Sequence, residues 1–342
     1  MQLAITPSAE ELVRRLVRYD DLKPCTTAFV DARTPGSDRK ENFTIIGPGV
    51  AENPDQHVHI SLPHGFNIGA ARQPPRCVNS QHSHTTAEVF IVHSGTWAFR
   101  LGEHGKDAEV VLTPGDTISI PTGVFRGFEN VGTSTGFLFA VLGGDDPGHV
   151  TWAPYVFDLA REHGLLLLEN GRLVDTRSGE KPPLDIKPQA PTTQQQAAQL
   201  RRMTTEEITV CVARAADLAL PSQGGLNGIG VSEAPVIGDV SQDENLPGGK
   251  MRWAHGFHLR CLSLSPGART NSHVRKEEEV IFLHFGSLEI ECPTGTITMS
   301  PGDTFTIPKG MSRRFINAQQ AETIAYVVRG GDRPSKALPS PV

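Results

Sequence analysis

The chain contains one pattern twice. Residues 64–95, HGFNIGAARQPPRCVNSQHSHTTAEVFIVHSG, lie over residues 255–286, HGFHLRCLSLSPGARTNSHVRKEEEVIFLHFG, without a gap. His64 aligns with His255, His82 with His273, Glu88 with Glu279 and Gly95 with Gly286. Further on, LTPGDTISIPTGVFRGFEN (112–130) lies over MSPGDTFTIPKGMSRRFIN (299–317), with the connection between the two blocks four residues shorter in the second copy. A duplication on this scale means that 342 residues build two similar cores rather than one large one.

Each copy is rich in short runs of alternating apolar and polar residues, TISIP, TFTIP, TWAFRLG and SLEIE, punctuated by Gly and Pro. Strict alternation places every second side chain on one sheet face, so each half is expected to be an antiparallel barrel or jelly roll. The fold class is therefore all-β: two tandem barrels with a few flanking helices. Helical signals are confined to SAEELVRRLVRYDDL, opened by a Ser8/Glu11 capping box, and APYVFDLAREHG at 153–164, expected to pack outside the first barrel. TRSGEKPPLDIKPQAPTTQQQAAQL has little to bury. The expected organisation is a first domain over 1–175 that includes the N-terminal helix, a linker over 176–203 and a second domain over 204–342.

A formal charge of −6 without long runs of one sign argues against a nucleic-acid surface. The first residues contain no secretory-length apolar core, and no stretch of about 18 apolar residues follows, so a cytoplasmic protein without a membrane partner is expected. The five cysteines are odd in number and lack CxxC spacing, which suits buried, reduced thiols. A small molecule is the expected partner.

QHSHTTAE carries the chemistry. His82 and His84, two apart on a strand, point to one face, and the TTA turn can bring Glu88 round to meet them. The spacing His82-x-His84-x3-Glu88-x6-Gly95, followed by Gly115-x5-Pro121-x-Gly123-x2-Arg126-x3-Asn130, resembles the two signature motifs of the cupin superfamily. With both halves covered, the chain resembles a bicupin, and each barrel is then a double-stranded β-helix. The resemblance implies one divalent metal ion held by His82, His84 and Glu88. Fe(II) is the first expectation, with Mn, Ni, Co or Zn as alternatives, since two imidazoles and a carboxylate form a facial triad with open positions.

The family's fourth ligand is a histidine, and Arg126 stands in its place. Two readings follow. In one, Arg126 is a catalytic group that anchors an anionic substrate by a bidentate pair. In the other it pairs with Glu88 inside an empty barrel, because a guanidinium about 6 Å from a dication is repelled by roughly 5 kcal/mol at an effective dielectric near 20. The second copy retains only His273 and Glu279, with Arg275 and Arg313 at the remaining ligand positions, so a charge pair is expected there instead of a metal.

Other histidines weigh less. His57, His59, His93 and His104 suit surface or strand-pairing roles, while the recurrence of His64 and His255 suggests barrel building. Phe90, Val92, Trp97 and Phe128 are candidate core around the site, and Asn130 is expected to bond turn backbone. The functional expectation is a metal-dependent bicupin enzyme, an iron dioxygenase acting on a small organic acid, distantly resembling the gentisate-type ring-cleaving dioxygenases. The alternatives are a metal-dependent isomerase or lyase and a non-catalytic ligand-binding bicupin. Further copies could assemble with it as a homo-oligomer.

Overall fold

A computed structural model describes residues 5–218, 226, 228–240 and 244–340. The chain divides into two compact units, Lys23–Val212 and Met1–Leu22 with Ala213–Val342.

In the first unit the alternating runs form two sheets. One is seven-stranded, in the order Val212–Ala213, Thr117–Ile120, Glu88–Ser94, Gly136–Gly143, Phe66–Gln73, Glu41–Ile46, Val58–Ile60. The other is five-stranded, in the order Thr151–Trp152, Val78–Ser83, Arg126–Asn130, Trp97–Leu101, Ala108–Leu112. Pairing is antiparallel except between Glu41–Ile46 and Val58–Ile60, where Thr44 lies opposite Val58. Phe90, Val92, Trp97, Phe99, Phe128 and Leu138 belong to one buried cluster, as expected of the aromatic positions.

The second unit repeats the plan. Its larger sheet runs Leu16–Val17, Thr304–Ile307, Glu279–Phe285, Thr323–Gly330, Phe257–Leu264, Val231–Ile237, and its smaller one Gly295–Met299, Leu288–Cys292, Arg314–Ile316. The motif glycine is needed twice. Gly95 has φ +86°, and a Cβ there would stand 2.7 Å from Gly136 Cα; Gly286 has φ +80°, and its Cβ would stand 2.4 Å from the Glu322 carbonyl. Any other residue would be strained and would push the neighbouring strand away.

The units differ from the expected organisation. The helix Ala9–Arg14 is capped as predicted, Ser8 accepting the Glu11 N–H at 3.1 Å. It lies, however, with the second barrel, where Leu12 joins the core and Leu16 pairs with Phe305. A second helix, Thr205–Thr209, followed by Val212–Ala213, repeats this arm ahead of the second barrel, and its Ile208 and Cys211 are buried in the first barrel's core. The first helix was legible by its cap, whereas Thr205–Thr209, capped by Thr204, was not among the expected helices; which core each covers depends on a tertiary contact that no local pattern encodes. The stretch 176–203 falls within the first unit. It is mostly exposed, with one short helix, Gln194–Ala197, whose Ala197 is buried beside Trp152 and Val156. Helix Pro154–Glu162 packs outside the first barrel through Val156, Phe157 and Ala160. Among the described residues, no helix is long and apolar enough to cross a membrane.

Candidate metal centre

His82 is the next-to-last residue of the Val78–Ser83 strand in one sheet of the first barrel, and Glu88 begins the Glu88–Ser94 strand in the other. The short connection between them crosses from sheet to sheet, so the imidazoles and the carboxylate face each other across the barrel. Ligand atoms of His82, His84 and Glu88 all lie within 4.8 Å of one another, and all three residues are buried. His84 Nε2 is 3.5 Å from Glu88 Oε2. The two rings meet edge to face at 5.1 Å, and Trp152 backs His82 at 5.3 Å.

Local bonds orient this set. His82 Nδ1 lies 2.7 Å from the Ser80 carbonyl, which fixes the proton on Nδ1 and leaves the Nε2 lone pair for a ligand. Behind it, the fully buried Lys40 ammonium bonds Asp31 and, at 2.9 Å, Asn79 Oδ1, while the Ser80 N–H donates to Asp31 at 3.0 Å. Burial first, and the Arg126 charge second, hold the His82 imidazole down to about 3 and His84 well below the usual imidazole range. Both rings therefore stay neutral, the form that binds metal.

Arg126 answers one question left open by the sequence. It is fully buried on the Arg126–Asn130 strand, opposite His82 in register. Its Nη2 and Nε both donate to Glu88 Oε2, at 2.6 and 3.2 Å, and its Nη1 to the Val124 carbonyl at 3.4 Å. Burial pushes the Glu88 carboxyl up and the Arg126 guanidinium down, while each favours the other's charged form. Because both bonds to Glu88 fall on Oε2, Oε1 remains for a cation, and the three donors fit one.

A cavity of about 70 Å³ opens on this cluster, lined by His82, His84, Glu88 and, on its walls, Phe90, Phe128 and Leu142. Arg126 is not among its lining residues. Its hydrogen bonds go to Glu88 and the Val124 carbonyl, the pairing with Glu88 that the second reading expects. Polar lining comes instead from Asn42, Thr44 and Asn79. The Asn42 Nδ2 is buried without a hydrogen-bond partner. These three lie outside the two motifs, and no sequence signal marked them. Asn130 bonds the Gln73 and Ser134 carbonyls and accepts the Gly132 N–H, the turn-holding role expected of it. His64 and His255 make matching contacts, each Nδ1 lying 2.6 Å from the carbonyl two residues back.

In the second barrel Glu279 takes Arg313 Nη2 at 2.8 Å and faces Arg275 Nε at 3.4 Å. Two guanidiniums thus occupy the ground that a metal would need.

The chain matches the cupin domain model twice, over residues 71–142 and 261–329. Among solved structures it is similar to oxalate decarboxylase from Bacillus subtilis at pH 4.6, with 11% identity, 98% of this chain and 80% of that chain covered, and a TM-score of 0.57. It is equally similar to the formate complex of Lactobacillus farciminis oxalate decarboxylase, with 11% identity, 98% and 90% covered, and a TM-score of 0.57. A third structure, concerned with the Mn(II) centres of the Bacillus subtilis enzyme, has 11% identity, 98% and 81% covered, and a TM-score of 0.55. These are decarboxylases rather than the ring-cleaving dioxygenases suggested by the sequence, and at such identities they carry the fold alone. No curated protein matches by sequence. With two matched cupin domains in tandem on an all-β, two-barrel chain, the protein belongs to the cupin superfamily and is a bicupin.

Proposed function

We propose that the first barrel binds one divalent metal ion through His82, His84 and Glu88 and cleaves a small carboxylic acid, a lyase-type reaction. The observation that carries this is the convergence of three buried donors on one small cavity. At about 10–15 Å³ per water-sized occupant, a cavity of about 70 Å³ takes a molecule of a few heavy atoms and crowds an aromatic ring. That favours a small acid over an aromatic one, and the likeness to oxalate decarboxylases supports the same class.

When bound, a divalent cation supplies Lewis acidity toward an acid oxygen. The chain's own residues do the rest. The Ser80 carbonyl holds His82 in register, Arg126 favours the charged form of Glu88, and Phe90, Phe128 and Leu142 exclude water. Asn42 Nδ2, free to donate, orients the acid.

The test is metal-free protein reloaded with Mn(II) or Fe(II) and assayed for CO2 release from oxalate and other short acids, with and without oxygen. One metal per chain and turnover that His84→Ala abolishes and Glu279→Ala spares are expected. Two metals per chain, or full occupancy in the His84 variant, would overturn the metal reading. Oxygen uptake matching turnover would favour the same site working as an iron oxygenase, which the facial-triad donors also suit.

A further inference from the structure

Superposing the repeats position by position makes the second barrel a controlled variant of the first. Gly69, His84 and Leu142 line the first cavity. At the matching positions of the second barrel stand Arg260, Arg275 and Arg329, brought in by three separate segments. The strand pairing fixes the match, since Gly69 lies opposite Ala140 and Arg260 opposite Val327. All three arginines, and Arg313, are almost wholly buried.

Their carboxylate partners are fewer. Arg260 reaches Glu233 at 3.3 Å and also Glu244; Arg275 reaches Glu244 at 2.5 Å and, through Nε, lies 3.4 Å from Glu279, which Arg313 holds. Arg329 is left 3.8 Å from the already shared Glu244, and its other contact is the Ser335 carbonyl at 2.9 Å. The half-buried Glu277 accepts the Ser335 N–H through Oε1. Among the described residues, four guanidiniums thus share three buried carboxylates, Glu233, Glu244 and Glu279. His258 and His273 add no negative charge. Arg260 Nε, Arg275 Nε and Arg329 Nη2 are buried with no hydrogen-bond partner. An uncompensated buried charge is among the costliest features a core can carry, and burial, with Arg275 and Arg260 nearby, holds the Arg329 guanidinium well below its ordinary value.

We propose that the second barrel is an anion site, binding one small monovalent anion, a halide or a short carboxylate, at the unpartnered N–H groups of Arg260, Arg275 and Arg329 beside Glu244. The anion supplies the missing negative charge. The proposal is independent of the metal reading of the first barrel.

The experiment follows thermal unfolding of the full chain at constant ionic strength, with sodium gluconate replaced stepwise by sodium bromide or sodium formate. A saturable rise in Tm of roughly 2–4 °C is expected with one or both, and the larger rise tells which kind of anion the site prefers. Arg329→Leu, which installs the first barrel's own residue, should remove the dependence. Equal Tm in gluconate, bromide and formate overturns the proposal. So does a dependence that survives in Arg329→Leu, because an anion held in the first barrel would be unaffected by that change. Should the variant not fold, bromide anomalous scattering from wild-type crystals decides: a peak among Arg260, Arg275 and Arg329 supports the site, and its absence overturns it.

Discussion

Arg126 places Nη2 and Nε on one oxygen of Glu88, and Arg313 repeats the pair with Glu279 in the other barrel, where Nη2 lies 2.8 Å from Oε1. Each arginine also donates Nη1 to the carbonyl two residues back, Val124 in one barrel and Met311 in the other. Since the second pair forms beside Arg275 rather than a second histidine, it needs no metal. The pair is a property of the duplicated barrel, on which, among the described residues, only the first copy superimposes a donor cluster.

Removing the guanidinium should therefore expose the cost of a lone buried carboxylate. In metal-free protein Arg126→Leu is expected to lose roughly 3–5 kcal/mol of stability, with saturating Mn(II) or Zn(II) restoring a large part by giving Glu88 a new cation. Denaturant unfolding with and without metal measures both. A loss that metal leaves unchanged would separate Glu88 from the site.

Arg126→His tests the same position from the other side. The change restores the imidazole that the family pattern carries there and withdraws a positive charge from beside the cluster. Competition against a chelator should show tighter metal binding than in the wild type. Weaker binding would mean that this strand cannot direct a fourth ligand to the centre.

The buried Lys40–Asp31 pair stands behind His82 through Ser80, whose N–H donates to Asp31 and whose carbonyl accepts from His82 Nδ1. Burial alone would raise the Asp31 carboxyl, but Lys40 and the Ser80 N–H hold it below its usual value. Lys40→Met should cost roughly 3–5 kcal/mol by leaving Asp31 unpaired, and Asp31→Asn with Lys40→Met should recover much of it. Through the loosened His82, metal affinity should fall about 10–100-fold in the single variant. Unchanged affinity would limit the pair to folding.

His273 carries a pH signature. Burial, then the Arg313 charge, holds its imidazole down to about 3, against about 6.5 in an unfolded chain. Between these values the unfolded state binds the proton and the folded state does not, so stability falls as pH drops from about 6.5 toward 3, by roughly 1.4 kcal/mol per pH unit for this group. His273→Phe, which keeps a ring against Phe315, should flatten that limb of the stability–pH curve relative to wild type. Parallel limbs would mean that the ring is protonated in the fold.

Read alone, the residue pattern predicts the two barrels, the family resemblance, the clustering of His82, His84 and Glu88 and the arginine at the fourth-ligand position. These rest on strand periodicity and short spacings, which strand geometry converts directly into direction: His82 and His84 share a face because they are two apart. The rest follows from contacts between distant segments. That Arg126 meets Glu88 depends on where a long side chain ends across the barrel, and that end is held by Val124 and Glu88 together. Asn42 reaches the cavity from a strand outside either motif, and Arg260 and Arg329 meet Glu244 only when distant strands close the second barrel. The helix Ala9–Arg14 announces itself by its cap, yet its place in the second barrel's core follows from Leu12 finding a partner surface more than two hundred residues away. Local pattern fixes the direction of a side chain on its own element. Which group it meets is fixed by packing, and packing belongs to the whole chain.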